Sequence, residues 1–259
     1  MIDFRNMFWV EWRKLIRARL PWITLLGFLI VPFVDVFFMI ILRDPQVAQD
    51  IGLIRTKAAF VGGAADWPNY LNVFMQAIAI GTVFLYGLIM AWIFGREFAD
   101  HTFDNLLAVP VPRGVILLAK FAVAALWCLL MIVFVYLLTI GLGFALDLPL
   151  ASPEIIAEGS ALIALAVVQM IVLSFVVGLA ASMGRGYLPG VGFIVLTLAF
   201  AQILIVIGWG DYFPWSVPPL SVGMVDGVSV GPVSYWLVAL TGLGGMAATY
   251  GWWRFADHK

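Results

Sequence analysis

Residues Tyr70–Phe94 read YLNVFMQAIAIGTVFLYGLIMAWIF, without a single charge. A helix of about 20 apolar residues crosses the roughly 30 Å hydrocarbon core of a bilayer. A barrel strand needs only about 9–11 residues and alternates apolar with polar. This stretch is too long and does not alternate, so a β-barrel is excluded. A segment in lipid must satisfy its own backbone, and that leaves a helix.

Five further windows read the same way: 20–42, 115–146, 160–182, 188–209 and 233–251. Asp35 is the only acid well inside a window, and Lys120 lies near the start of the third. The composition agrees. The chain has 259 residues, of which 64% are hydrophobic and 11% charged, where a soluble domain carries about 25% charge. Mean hydropathy is +1.06. The expected fold is all-α: a polytopic membrane protein of six transmembrane helices and no separate soluble domain. Its one cysteine, Cys128, can form no internal disulfide. The net charge of −1 argues against a nucleic-acid partner. The first 19 residues lack an apolar signal core, so no cleavable signal peptide is expected.

Lysine and arginine set the orientation. Eleven of the fourteen lie in the N-terminus, the 95–120 connection, the 183–187 turn and the C-terminus; Arg43, Arg55 and Lys57 lie in the opposite loops. Both termini are therefore expected in the cytoplasm, in agreement with an even number of spans. Residues 1–19 read as an interfacial helix. Phe4, Phe8, Trp12, Leu15 and Ile16 share one face, with Arg13, Lys14 and Arg17 opposite, toward anionic headgroups. Pro21 is expected where the chain turns into the membrane.

The connection after Tyr70–Phe94 reads GREFADHTFDNLLAVPVPRG, Gly95–Gly114. Glu97, Asp100 and Asp104 stand at i, i+3 and i+7, one face of a helix. Phe98, Phe103, Leu106 and Leu107 offer an apolar counterpart; Pro110 and Pro112 end it. The plain reading is a solvated loop with basic residues at the membrane edge. The functional reading is a docking element for a soluble partner.

This stretch resembles the first cytoplasmic loop in permease subunits of type-2 ABC exporters, nearest in style to bacitracin and lantibiotic immunity permeases. Arg96-Glu97-Phe98 match the acidic start, Thr102 the threonine and Leu106-Leu107 the leucine pair. Pro110-Val111 and Arg113 match the proline segment, and Lys120 the later lysine. His101 stands where the pattern has Gly, and Pro112 where it has Ser. The layout of interfacial helix, six spans and internal termini is similar as well. The resemblance implies a transmembrane subunit in the plasma (inner) membrane, acting as a dimer with two copies of a cytoplasmic ABC ATPase subunit. A homodimer is expected over a heterodimer. The 95–114 loop would be the coupling element, carried by Arg96, Glu97, Phe98, Asp100, Thr102, Asp104 and Arg113. Arg185, in the 183–187 turn, would make a second contact; its plain reading is a positive-inside anchor. In that family the dimer interface forms largely from spans one and five. No Gly-x-x-x-x-Gly-Lys-[Ser/Thr] phosphate loop occurs here, so ATP and Mg are expected on the partner, with no cofactor or metal in this chain.

Within the spans, Asp35 is costly and reads as a site by default. Gln76, Gln169 and Gln202 read first as interhelical hydrogen bonds. Asp35, Gln76 and Gln202 are the candidates for a substrate pathway. Small residues recur at Thr241, Gly245 and Thr249 and at Gly178 and Ser182, which suggests close helix packing. The outer segment 210–232 has four prolines, Pro214, Pro218, Pro219 and Pro232, and no basic residue. It is expected to form short, partly re-entrant helices, with Gly223, Gly227 and Gly231 at turns.

Two other classes compete. A membrane enzyme lacks residues: His101 and His258 lie outside the windows, and no nucleophile elbow or His-Glu-x-x-His site occurs. A secondary transporter or channel would rest on Asp35 alone as its ion or proton site.

Overall fold

The computed structural model describes residues 2–44, 64–225, 228 and 230–255. Arg55, Lys57, Gly227 and His258 lie outside these residues. The order is α1 (Ile2–Arg17), α2 (Arg19–Arg43), α3 (Trp67–Ala99), α4 (Phe103–Leu107), α5 (Arg113–Ala145), α6 (Pro153–Met183), α7 (Tyr187–Val206), α8 (Val217–Ser221) and α9 (Pro232–Phe255). Two 3-10 turns, Gly210–Tyr212 and Pro214–Ser216, precede α8. No strand occurs among the described residues.

Five helices, α2, α3, α5, α6 and α7, are long and apolar enough to cross a membrane. The chain is therefore a multi-pass membrane protein. The sixth window forms α9, which has span length but is diluted by Gly, Thr and Trp.

The break between α1 and α2 falls at Ala18, not Pro21. Pro21 sits in the first turn of α2, where its missing N–H has no helical acceptor to lose. Trp127 of α5 takes Trp12 of α1 and Trp22 of α2 edge-on, at 6.0 and 5.6 Å between centroids. The two helices thus meet on one aromatic post.

α3 is the hub, packing on α2, α5, α6 and α7. α9 lies along the far side of α6. Its buried stripe is Val238, Gly242, Gly245, Thr249 and Trp253. A Cβ at Gly242 would strike the backbone of Val172, and one at Gly245 would strike Val176 at 2.7 Å. The small residues of the sixth window therefore serve packing within the subunit. The segment after α7 is folded inward: Trp215, Ser216, Val217 and Leu220 are buried, and Ser216 Oγ donates to the Ala201 carbonyl.

Candidate functional site

The site begins with α3, which does not end where its uncharged window ends. It runs past Phe94 to Ala99. Gly95 is required by contact: a Cβ there would overlap the backbone of Gly186 and Tyr187. The start of the 95–114 loop is thereby laid against the turn between α6 and α7.

The next two residues, Arg96 and Glu97, are buried. They enter a cluster of five charges from three helices. Lys120 of α5, with no exposed surface, donates to Glu11 at 3.1 Å, to Glu97 at 3.0 Å and to the Ile93 carbonyl at 3.3 Å. Arg96 pairs with Glu11 and approaches Glu97 at 3.4 Å. Lys14 bridges Glu11 at 3.2 Å and Glu97 at 3.0 Å. Arg96 also lies 4.6 Å over the Trp92 ring. Buried charges persist only when paired and hydrogen-bonded, and here each is. Burial pushes the Glu11 carboxyl up, but the Lys120, Arg96 and Lys14 cations outweigh burial and hold it below the usual range.

α3 then stops by a turn that closes on itself. His101 N–H donates to Phe98 and Thr102 N–H to Glu97, with His101 at φ 54°. This is the pair of bonds that ends a helix with a left-handed residue. The Thr102 hydroxyl reaches Glu97 Oε2 at 2.9 Å, so the loop is hung on the ion cluster. α6 ends alike: Arg185 has φ 51°, and its N–H and that of Gly186 donate back to Ser182 and Ala181.

This overturns one expectation. Glu97, Asp100 and Asp104 do not line a single helix face. Glu97 faces inward in α3, Asp100 caps α3, and Asp104 lies in the separate five-residue α4. The left-handed turn at His101 breaks the 3.6-residue period between them. Asp100 and Asp104 are exposed, whereas Glu97 is buried.

Phe98 and Phe103 stack at 4.2 Å, and Trp253 at the end of α9 meets Phe103 edge-on at 5.0 Å. Trp253 donates to Ser182 Oγ at 3.0 Å, and its carbonyl accepts from Arg113. Phe98, Asp104 and Arg185, three of the sequence candidates, share the lining of a cavity of about 320 Å³ with His101 and Phe103. A larger cavity of about 530 Å³ opens between α1 and the loop.

The intramembrane candidates are not brought together. Asp35 is fully buried on the inner face of α2, and neither carboxylate oxygen has a hydrogen-bond partner among the described residues. Gln76 donates to Asn72 one turn away, and Gln202 is exposed on α7. Sequence reasoning passed over Glu11 and Trp253. Glu11 carried a signal: it is an acid in the middle of a basic amphipathic helix, whose other acid, Asp3, stands at the start, and it lies on the side that packs inward. Trp253 carried none.

Residues 7–202 match the family described as ABC-2 family transporter protein. The chain belongs to the ABC-2 transporter family. The matched region takes in the ion cluster, the loop and the 184–187 turn of this ABC-2 permease. It is similar to the bacitracin transport permease protein BCRB of Bacillus licheniformis, with 25% identity over 177 residues, covering 67% of this chain and 84% of that protein.

Proposed function

We propose that this ABC-2 permease is the membrane subunit of an ATP-driven exporter, working as a dimer with two separate ATPase subunits. It has six spans, α9 being the sixth, and both termini in the cytoplasm of a cell bounded by its plasma membrane. The ATPase docks on the exposed side of the 95–114 loop, through Asp100, Asp104 and Arg185 around the Phe98–Phe103 stack. The substrate is hydrophobic or amphipathic: a peptide antibiotic, a drug or a lipid-like molecule. The bacitracin permease relative supports that class.

One observation carries the reading. The loop that meets a partner is anchored, through Glu97 and Thr102, to an ion cluster uniting α1, α3 and α5. A push on the loop is then felt by three helices as one body, which suits rigid-body tilting of spans. Arg96, Glu97 and Lys120 transmit in this scheme and do not touch the ATPase. α2 and α7 support the dimer, since 28% and 22% of their apolar windows are buried against 44–61% in α3, α5 and α6. Gln202 stands exposed on α7 between Phe200 and Ile203, an amide that gains from a cleft or a partner helix.

The test is a pull-down from native membranes in mild detergent with mass spectrometry of the co-purifying proteins. A soluble protein with a phosphate loop, near one copy per permease and lost on Asp100/Asp104 reversal, is the expected result. Repeated purification with no nucleotide-binding protein overturns it. A second reading rests on Asp35, whose carboxylate is enclosed without a partner: an ion- or proton-coupled transporter. Under that reading Asp35→Asn abolishes transport and its pH dependence; under the first, transport survives and follows ATP.

A further inference from the structure

We infer that the 530 Å³ cavity between α1 and the first loop is a binding site for the headgroup of an anionic phospholipid of the inner leaflet. Its walls carry Lys14, Arg17 and Arg96 against Glu97 and Asp100, an excess of one positive charge. Adding Glu11 and Lys120 behind the wall leaves that excess unchanged. One phosphodiester neutralises it. Glu97 is already engaged by Lys14, Arg96, Lys120 and Thr102, so its charge does not repel an anion at the mouth. Arg17 has no ion-pair partner among the described residues and is exposed on the cavity rim. Ala18, also in the wall, is the N-cap of the 25-residue α2 and supplies no side-chain cap. The start of that helix therefore lacks the oxygen that Ser or Asp would give. Trp92 and Leu106 form an apolar wall beside the charges, as a lipid's glycerol and first methylenes require.

The position selects lipid over a soluble phosphate. α1 is an amphipathic helix that meets α2 at the cavity, so the site lies in the headgroup plane. Basic pockets at this depth hold anionic headgroups. This placement rests on the orientation proposed above, but its test needs no ATPase and so succeeds or fails apart from the pull-down.

The purified permease is placed in nanodiscs of phosphatidylcholine alone or with 30% phosphatidylglycerol. Retained lipid is read by native mass spectrometry and the thermal midpoint by tryptophan fluorescence. Phosphatidylglycerol is expected to be retained selectively and to raise the midpoint. Arg17→Gln weakens that retention about fivefold, as one basic residue near a lipid surface does, and leaves the midpoint in phosphatidylcholine unchanged. Arg13→Gln, on the exposed side of α1 over Trp9, removes the same charge outside the cavity and leaves retention as in the parent. Equal loss from both variants means a diffuse surface effect and overturns the site. An equal rise in midpoint with soluble glycerol phosphate in phosphatidylcholine overturns the lipid as occupant. Unaltered retention in Arg17→Gln overturns the cavity as the lipid site.

Discussion

His101 stands where the resembling family has Gly, and its φ of 54° explains that pattern. The position is the left-handed residue that ends α3, and a side chain there costs about 1–2 kcal/mol. His101→Gly is expected to raise stability by about 1 kcal/mol, allowing for the freer unfolded chain, as read by the thermal midpoint in detergent. The two acids nearby should separate sharply. Glu97→Lys puts a fourth cation among Lys14, Arg96 and Lys120, and removing one partner of such a buried set costs about 3–5 kcal/mol; it is expected to give unfolded or absent protein. Asp104→Lys, exposed in α4, should fold normally and lose only ATPase capture. A folded Glu97→Lys protein with the parent midpoint would remove the cluster from the scheme. Glu11 adds a pH signature. Its folded value lies below the ordinary 4.5, so its contribution is complete above that pH and is lost as pH falls through the folded value. The midpoint gap between parent and Glu11→Gln is expected to stay constant from neutral pH to about pH 5, and to close only in stronger acid.

At the scale of elements, α9 is held to α6 by the absence of side chains. Gly242 and Gly245 let the two backbones approach, and in lipid such close packing replaces the hydrophobic drive. Gly242→Leu should force the helices apart. Because Trp253 closes the aromatic stack over Phe98 and Phe103, the change is expected to loosen the first loop as well. Limited proteolysis between Ala99 and Arg113 reads this: faster cleavage in the variant links α9 to the loop, and parent-like cleavage separates them. The N-terminal helix behaves in the opposite way. Its apolar positions were legible from period and do pack, Leu15 fully buried and Trp12 against Trp127, but it is also held by an ionic contact that period does not show, Glu11 to Lys120 more than a hundred residues away.

For the whole molecule, the exposed apolar faces of α2 and α7 are where a second copy is expected. Cys128 is buried, so added cysteines report without background. Phe200→Cys on α7 should cross-link with Ile30→Cys on α2 in native membranes, both positions being exposed. Cross-linking of Val133→Cys on α5 at the same yield would place the contact elsewhere.

The membrane-spanning character, the helix windows and the amphipathic start were all legible along the chain, because each depends on the local solvent: lipid demands long apolar helices that satisfy their own backbone. The loop motif was legible too, as a set of residue types. Their roles were not. Arg96 and Glu97 read as surface charges until the fold buries them, and Glu97 parts from Asp100 and Asp104 only because a left-handed turn at His101 interrupts the helix. Lys120, Glu11 and Trp253 acquire partners from helices distant in sequence. Local pattern measures how a residue meets its solvent; which charge neutralises which is a matter of Coulomb energy at about 3 Å, and that proximity exists only once the helices have packed.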